Sequence, residues 1–283
     1  LYSSFKEFLY RIINKKDLLN RSFYLIIKEK QEIGIEIQVN ICEELIKNLN
    51  LKFNRLNDTE LQIFLRNSLN AETSSDSSIS ELIPDKIINN PNEICLNNKF
   101  IRIIAVKGYP RIVEEGFLDK VITLNGDFDI SLHIEPFPIE TTMIFLNKEL
   151  QKQRADLYAM ERKDIINPSL EIKFKDTRNV LEQLQKGYEK LFNISLYIAC
   201  KGKDLNDLDL ISRKIKSELN SLMMIPYIPT YEMDKALKSS LPLGLNELNV
   251  KRNITTKALS AFFPFTSQFL EVDESGVMLG LNK

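Results

Sequence analysis

Two periods of apolar residues organise this chain. In "FDISLHIEPF", positions 128–137, Phe128, Ile130, Leu132 and Ile134 alternate with Asp129, Ser131, His133 and Glu135. That is the period of a strand with one buried face. "FIRIIAV" (100–106) predicts another strand, and "NISLYIAC" (193–200) repeats the alternation of 128–137, so these two strands are expected in one sheet, antiparallel or mixed, with helices covering one side. Three- and four-residue steps predict the helices: one stripe through Leu181, Leu184, Tyr188 and Leu191, another through Leu205, Leu208, Ile211, Ile215, Leu219 and Leu222. This helix-strand-helix order suggests a ferredoxin-like split βαβ arrangement. Between the strands, Thr141 to Asp164 is long and charged. Its Met143, Leu146, Leu150, Gln153, Leu157 and Met160 recur close to a heptad, predicting a projecting helix or helical hairpin that Asn167-Pro168 interrupts.

The first part of the chain is less regular. Phe5, Phe8, Leu9, Ile12 and Ile13 predict a short amphipathic helix with Lys6, Glu7 and Arg11 opposite. Packing on a first sheet accounts for that stripe; docking to a membrane surface or partner is the alternative. "SFYLIIKEK" predicts a buried strand, "EELIKNLNL" a helix, and "TELQIFLRNSL" another helix that Asp58 or Thr59 would cap. A first α+β lobe is expected over 1–69. Residues 70–80 hold five Ser in eleven positions and predict a linker, and a second α+β lobe follows over 81–250.

Composition narrows the function classes. Apolar residues are 43% and charged residues 27% of 283, enough core material for two lobes. Lys plus Arg is 38 against 39 for Asp plus Glu, so no global field draws the chain onto nucleic acid or anionic lipid. The aromatic residues sit at core periodicities rather than among basic residues, and direct nucleic-acid binding is not expected. Cys42, Cys95 and Cys200 lack any CxxC spacing, which fits a reducing cytosol and predicts neither zinc site nor disulfide framework. No run reaches the ~20 apolar residues of a membrane-crossing helix, so any membrane contact is expected to be peripheral. The start at Leu1 rather than Met suggests a boundary within a longer protein.

Candidate chemistry is sparse. There is no Gly-x-x-x-x-Gly-Lys-Ser/Thr run to cradle phosphates. "VKGYPR" places Lys107, Tyr109 and Arg111 at the end of a strand, where a docking or anion contact is conceivable; a plain turn with solvated basic residues is the alternative. His133 is the only histidine, so any catalytic triad must pass through it; on its strand it is expected to be exposed or at a lobe interface. The paired acids Asp127 with Asp129, and Glu114 with Glu115, lack metal-site context and read as a turn and a helix face. No catalytic, cofactor-binding or metal-ligating residue is assigned. An enzyme built on Lys107, Arg111 and His133 is the least supported alternative.

Several phrases, in order, resemble the N-terminal region of the conjugative-transfer ATPases of type IV secretion systems, the VirB-four or TraC type. They are "IRIIAVKGYPRIVEEGFLDKVI", "DFDISLHIEPF", "LQKGYEKLFNISLYIAC", "SLPLGLNEL" with "NITTKALSAFFPF", and "DESGVMLGLNK". The resemblance covers residues 81–283 and only loosely 1–80. It implies an α+β fold of two mixed lobes, the second ferredoxin-like with a projecting charged hairpin. Residues 251–283 would be the start of a P-loop ATPase domain, with Phe262, Phe263 and Phe265 at the domain junction and Gly276 to Gly280 in its entry hairpin. Ala261 to Lys283 would then pack loosely. ATP and Mg2+ would belong to the full-length protein and to no residue here. The implied partners are further copies in a ring, a hexamer, and inner-membrane secretion components, with the protein at the cytoplasmic face of the membrane. A free-standing interaction module without catalytic activity is the competing expectation.

Overall fold

The computed structural model describes residues 22–29, 32–49, 51–69, 84, 86–110, 112–114 and 116–263. The expected helix at Phe5 to Ile13, the Ser-rich linker, Arg111, Glu115, Phe265 and the Gly276 to Gly280 hairpin lie outside these residues. The chain is α+β: eight helices and one seven-stranded antiparallel sheet among the described residues.

The first part carries helices α1 (Glu32–Asn48) and α2 (Asp58–Leu69) and, among its described residues, no strand. Residues 22–29 of "SFYLIIKEK" are not in a strand among the described residues, and Phe23, Tyr24, Leu25 and Ile26 are exposed. An apolar run becomes a strand only where a neighbouring edge takes its backbone groups. Here Tyr24 stacks on Phe64 at 3.9 Å, and Lys28 Nζ donates to the Gly244 carbonyl at 3.1 Å, so side chains hold the segment instead. The cap of α2 is Asn57 rather than Asp58 or Thr59. Glu60 N donates to Asn57 Oδ1 at 2.8 Å and Asn57 N to Glu60 Oε2 at 2.9 Å, a reciprocal capping box one residue earlier than expected.

The sheet is built on two long strands, β3 (Lys99–Gly108) and β5 (Leu191–Gly202), paired from Phe100↔Gly202 to Val106↔Leu196. Hairpin β1 (Ile87–Asn89) and β2 (Ile94–Leu96) extends the free edge of β3 at one end; β6 (Ile225–Tyr227) takes that edge at the other. Strand β4 (Phe128–Pro136) pairs with the far edge of β5 over nine residues, and β7 (Arg252–Thr255) continues the line of β3 along β5. The β2–β3 turn is two residues long, and Asn97, with φ of 52°, supplies the left-handed position that asparagine tolerates.

Helices cover this sheet on both faces, not one. On the first face, α3 (Asp119–Ile122) and α6 (Leu205–Ser221) bury Val121, Leu208, Ile211, Ile215 and Leu219 on Ile104, Val106, Leu196 and Ile198. Gly202 permits the close turn into α6, since a Cβ there would lie 2.6 Å from Leu208 N. On the second face, α7 (Met233–Ser240) packs Met233 and Ala236 on Ile101, Ile103, Ala105, Tyr197 and Ala199. Alternation in "NISLYIAC" predicts a polar second face, but its alternates Ser195, Tyr197 and Ala199 are small or carry one satisfiable hydroxyl, so they tolerate burial when partners are supplied.

The segment after β4 is a helical hairpin, α4 (Ile139–Glu161) and α5 (Pro168–Gln185). Asn167-Pro168 starts the second helix as well as ending the link: Leu170 N donates to Asn167 Oδ1, and Pro168 occupies the first turn, where its missing N–H costs nothing. The stripe through Tyr188 stops short. Gly187, with φ of 75°, ends α5 in a Schellman turn, with Tyr188 N donating to Gln183 O and Gly187 N to Leu184 O, leaving Tyr188 exposed. The hairpin's base is fastened by Leu146, Leu181, Leu184 and Leu191.

The same core runs past position 250. After β7, α8 (Thr256–Ser260) leads to Ala261 and Phe262, which are 3% and 5% exposed. Phe262 meets Phe117 edge-on at 4.9 Å and Tyr109 at 5.8 Å, while Phe263 is 40% exposed. The loose packing expected from Ala261 onward therefore does not hold for Ala261 and Phe262. Phe262→Ala is predicted to cost about 3 kcal/mol in urea unfolding, the loss of a core aromatic with its cavity. A change below about 1 kcal/mol would show that this residue is not part of the cooperative core.

Candidate functional site

Lys107, Tyr109 and Arg111 were the residues expected to make a docking or anion contact. Pairing of β3 with β6 passes from Val106↔Pro226 to Gly108↔Ile225, so Lys107 is the extra residue of a β-bulge. The bulge inverts the alternation. Lys107 stays on the second face, its Nζ 5.6 Å from the Tyr227 ring centroid, whereas Tyr109 turns to the first face against Phe262. Tyr109 is largely buried, and burial pushes its phenol well above the usual tyrosine range. Gly108 is needed in the bulge because a Cβ would meet Ile225 Cδ1 at 2.6 Å. Lys107 and Tyr109 thus diverge across the sheet, and Lys107 alone of the two presents its polar end outward.

His133 lies on the second face of β4, beneath α7. Its Nε2 is 2.6 Å from the Ser239 carbonyl, and since a carbonyl only accepts, the proton sits on Nε2. Beside it, Ser131 Oγ donates to Ser240 O at 2.7 Å, and the His133 ring meets Tyr197 edge-on at 5.6 Å. The histidine is half-buried between strand and helix, not exposed. It binds a main-chain oxygen rather than a hydroxyl, so this contact activates no serine nucleophile. Lys107 and His133 stand on either side of β5, about 10 Å apart as two strand spacings.

The densest polar convergence is one that sequence periodicity did not single out. Tyr197 OH donates to Asn246 Oδ1 at 2.6 Å and accepts from Val250 N at 3.2 Å. Asn246 Nδ2 donates to Ser195 Oγ at 3.0 Å, and Asn249 N donates to Asn246 Oδ1 at 3.1 Å. Leu248 N donates to Ser239 Oγ at 2.9 Å. Asn246 therefore stitches the irregular segment 241–250 onto β5. A second such point is Arg102, a cation within the apolar run "FIRIIAV". It donates to Asp209 Oδ1 (2.5 Å), Glu93 Oε2 (3.2 Å) and Asn92 O (3.2 Å). Burial pulls its pKa down, but the hydrogen bonds it donates to Asp209 and Glu93 outweigh it and leave the guanidinium above its ordinary value. The same contact holds the Asp209 carboxyl below the usual range. The signal available in the sequence was the charge itself, because a buried cation needs partners.

The acid pairs separate. Asp127 accepts Lys201 N through its carbonyl ahead of β4, while Asp129 is within the strand, its carboxylate 2.6 Å from Lys201 Nζ. Glu114 lies in an irregular stretch before α3, not on a helix. Among the described residues, no group of three or more His, Cys, Asp or Glu is placed to hold a metal ion, and no helix is long and apolar enough to cross a membrane.

The helical hairpin carries a run of exposed apolar side chains. Ile144, Phe145, Tyr158, Ile165, Ile166 and Ile172 all show large apolar side chains to solvent, Ile166 at 82%. Gln151, Arg154 and Tyr158 line an open surface of α4. The inner seam is polar at its middle: Gln153 is 2% exposed, and its Nε2 donates to Glu149 Oε1, which also accepts from Lys173 Nζ of α5, each at 3.0 Å. Those two hydrogen bonds, with Lys173 first, lower the Glu149 pKa. Such a polar layer fixes the register of two helices at some cost in stability.

Comparison with protein-family models gives no match, and none of the curated proteins matches the chain. Asn246→Ala is predicted to destabilise by about 1 kcal/mol in urea unfolding, because the Tyr197 hydroxyl and Asn249 N–H lose a shared, half-buried acceptor. Unchanged stability would mean that segment 241–250 is held by its apolar contacts alone.

Proposed function

We propose that this chain is the N-terminal assembly and docking part of a type IV secretion ATPase, of the kind that energises conjugative transfer. The exposed apolar surface of the α4–α5 hairpin is the observation that carries the proposal. A helical pair whose buried cluster lies at its base, with Ile165 and Ile166 at its tip and Tyr158 exposed, is suited to meeting a partner rather than enclosing a substrate. The ordered phrases from "IRIIAVKGYPR" to "DESGVMLGLNK" supply the family, and the near-neutral charge suits a protein partner better than a nucleic acid.

On this reading the hairpin docks onto inner-membrane components of the secretion channel at the cytoplasmic face. Further copies assemble into a ring, a hexamer, around the motor of the full-length protein. ATP and Mg2+ act in that motor, and the chain described here transmits its position rather than its chemistry. The enzymatic alternative needs Lys107, Arg111 and His133 to converge; Lys107 and His133 instead reach toward Tyr227 and α7.

The test is a pull-down of type IV inner-membrane components with the 283-residue chain and with Ile166→Asp, an exposed position whose change spares the core. Capture by the wild type, reduced at least about tenfold by Ile166→Asp, is expected, equivalent to about 1.4 kcal/mol. No capture by the wild type would sink the proposal, and equal capture by both would move the docking surface off the hairpin tip.

A further inference from the structure

Strand β4 is an edge with usable hydrogen-bonding groups. Two contacts fix which way its backbone points: Lys201 N donates to Asp127 O, and Phe137 N donates to Leu191 O at 3.0 Å. Both pairs belong to the register that sets Phe128 opposite Cys200. In an antiparallel ladder, alternate residues turn both backbone groups to one neighbour. Asp129, Ser131, His133 and Glu135 therefore face β5, while Ile130, Leu132 and Ile134 turn their N–H and C=O away from it. Among the described residues no strand pairs with that outer edge.

Proteins usually guard such an edge with a bulge, a lysine or a proline. The nine-residue pairing of β4 with β5 has no bulge, and β4 carries no Lys or Arg. Its two carboxylates are engaged within the sheet, Asp129 by Lys201 at 2.6 Å and Glu135 by Lys251 at 2.5 Å. Its second face is fixed to α7 through Ser131 and His133, which keeps the strand in place. Only Pro136 interrupts the edge, at an outward position where it lacks an N–H to offer.

We propose that β4 pairs edge to edge with β4 of a second copy of this chain, antiparallel about a two-fold axis at Leu132. This inference does not rest on the secretion reading. The axis follows from the outward groups. With Leu132 opposite itself and Ile130 opposite the partner's Ile134, the N–H and C=O groups of all three residues satisfy one another. A shift by one outward residue would bring Pro136 or Phe128 into the ladder and leave part of the three-residue set unmatched. The same register lays Ile130, Leu132 and Ile134 of the two copies in one apolar row, and Ile134, 47% exposed, gains most cover. Asp129 falls opposite Glu135 of the other copy, a like-charge pair that Lys201 and Lys251, each bound to its own carboxylate, offset.

Sedimentation velocity of the 283-residue chain, over about a hundredfold in concentration around micromolar, should show the mean mass rise toward twice the monomer. Ile134→Lys, at an exposed side chain, should stay monomeric with an unchanged far-ultraviolet spectrum. In a Cys42→Ser background, Leu132→Cys should form an intermolecular disulfide on mild oxidation, because facing residues of a hydrogen-bonded pair lie ~5.5 Å apart at Cα. Ile130→Cys should cross-link with Ile134→Cys when the two proteins are mixed, and neither should do so efficiently alone. A single monomeric species throughout would overturn the proposal. So would a dimer that survives Ile134→Lys, or one in which Leu132→Cys stays uncrosslinked.

Discussion

The pairing of β3 with β5 is the constraint on which the rest of the structure depends. From Phe100↔Gly202 to Val106↔Leu196 the two strands are buried on both faces, and every other strand of the sheet attaches directly or through one neighbour to this pair. Burial on both faces removes water as a partner for backbone groups, so the ladder must be complete. It also sets the problem that the flanking segments solve: the first face needs an apolar cover, and the second needs one that also accommodates Ser195 and the Tyr197 hydroxyl. Helix α6 supplies the former with its Leu208-Ile211-Ile215-Leu219 stripe, and α7 with Asn246 supplies the latter.

Local periodicity made much of this legible. The strands at 100–106, 128–137 and 193–200, the α6 stripe and the heptad of α4 are elements whose apolar faces are set within a single segment. What stayed hidden depends on pairing between distant segments. A Lys107 bulge against Ile225 decides that Tyr109 faces inward, and no local pattern announces it. Burial of Ser195 and Tyr197 depends on Asn246, some fifty residues away, and the apolar run at 22–29 failed as a strand because no described edge receives it. The cap of α2 was missed for a smaller reason: Asn57 and Glu60 satisfy the capping-box spacing, but Asp58 and Thr59 are also good cap residues.

The candidate site followed the same division. Lys107, Tyr109 and His133 are where their strands place them, yet the sheet divides them between two faces and engages His133 with α7. The two surfaces proposed for binding are peripheral to the sheet: a helical hairpin that emerges after β4 and returns at β5, and the outer edge of β4 itself. Both are held by strands of the same sheet, so a partner on the hairpin and a second copy on the edge would be registered to one another through β4. Rigidity at the centre with apolar surface at the margins is the arrangement an assembly domain requires, because docking energy is not lost in deforming the scaffold.

Native-state hydrogen exchange resolved by residue tests that division most directly. Amides of Ile103 to Val106 and Leu196 to Cys200 should exchange last, only through global unfolding, with those of the distal hairpin, residues 151–175, opening locally and exchanging orders of magnitude faster. Hairpin amides as protected as those of β5 would contradict the account, and so would β5 amides that exchange at hairpin rates.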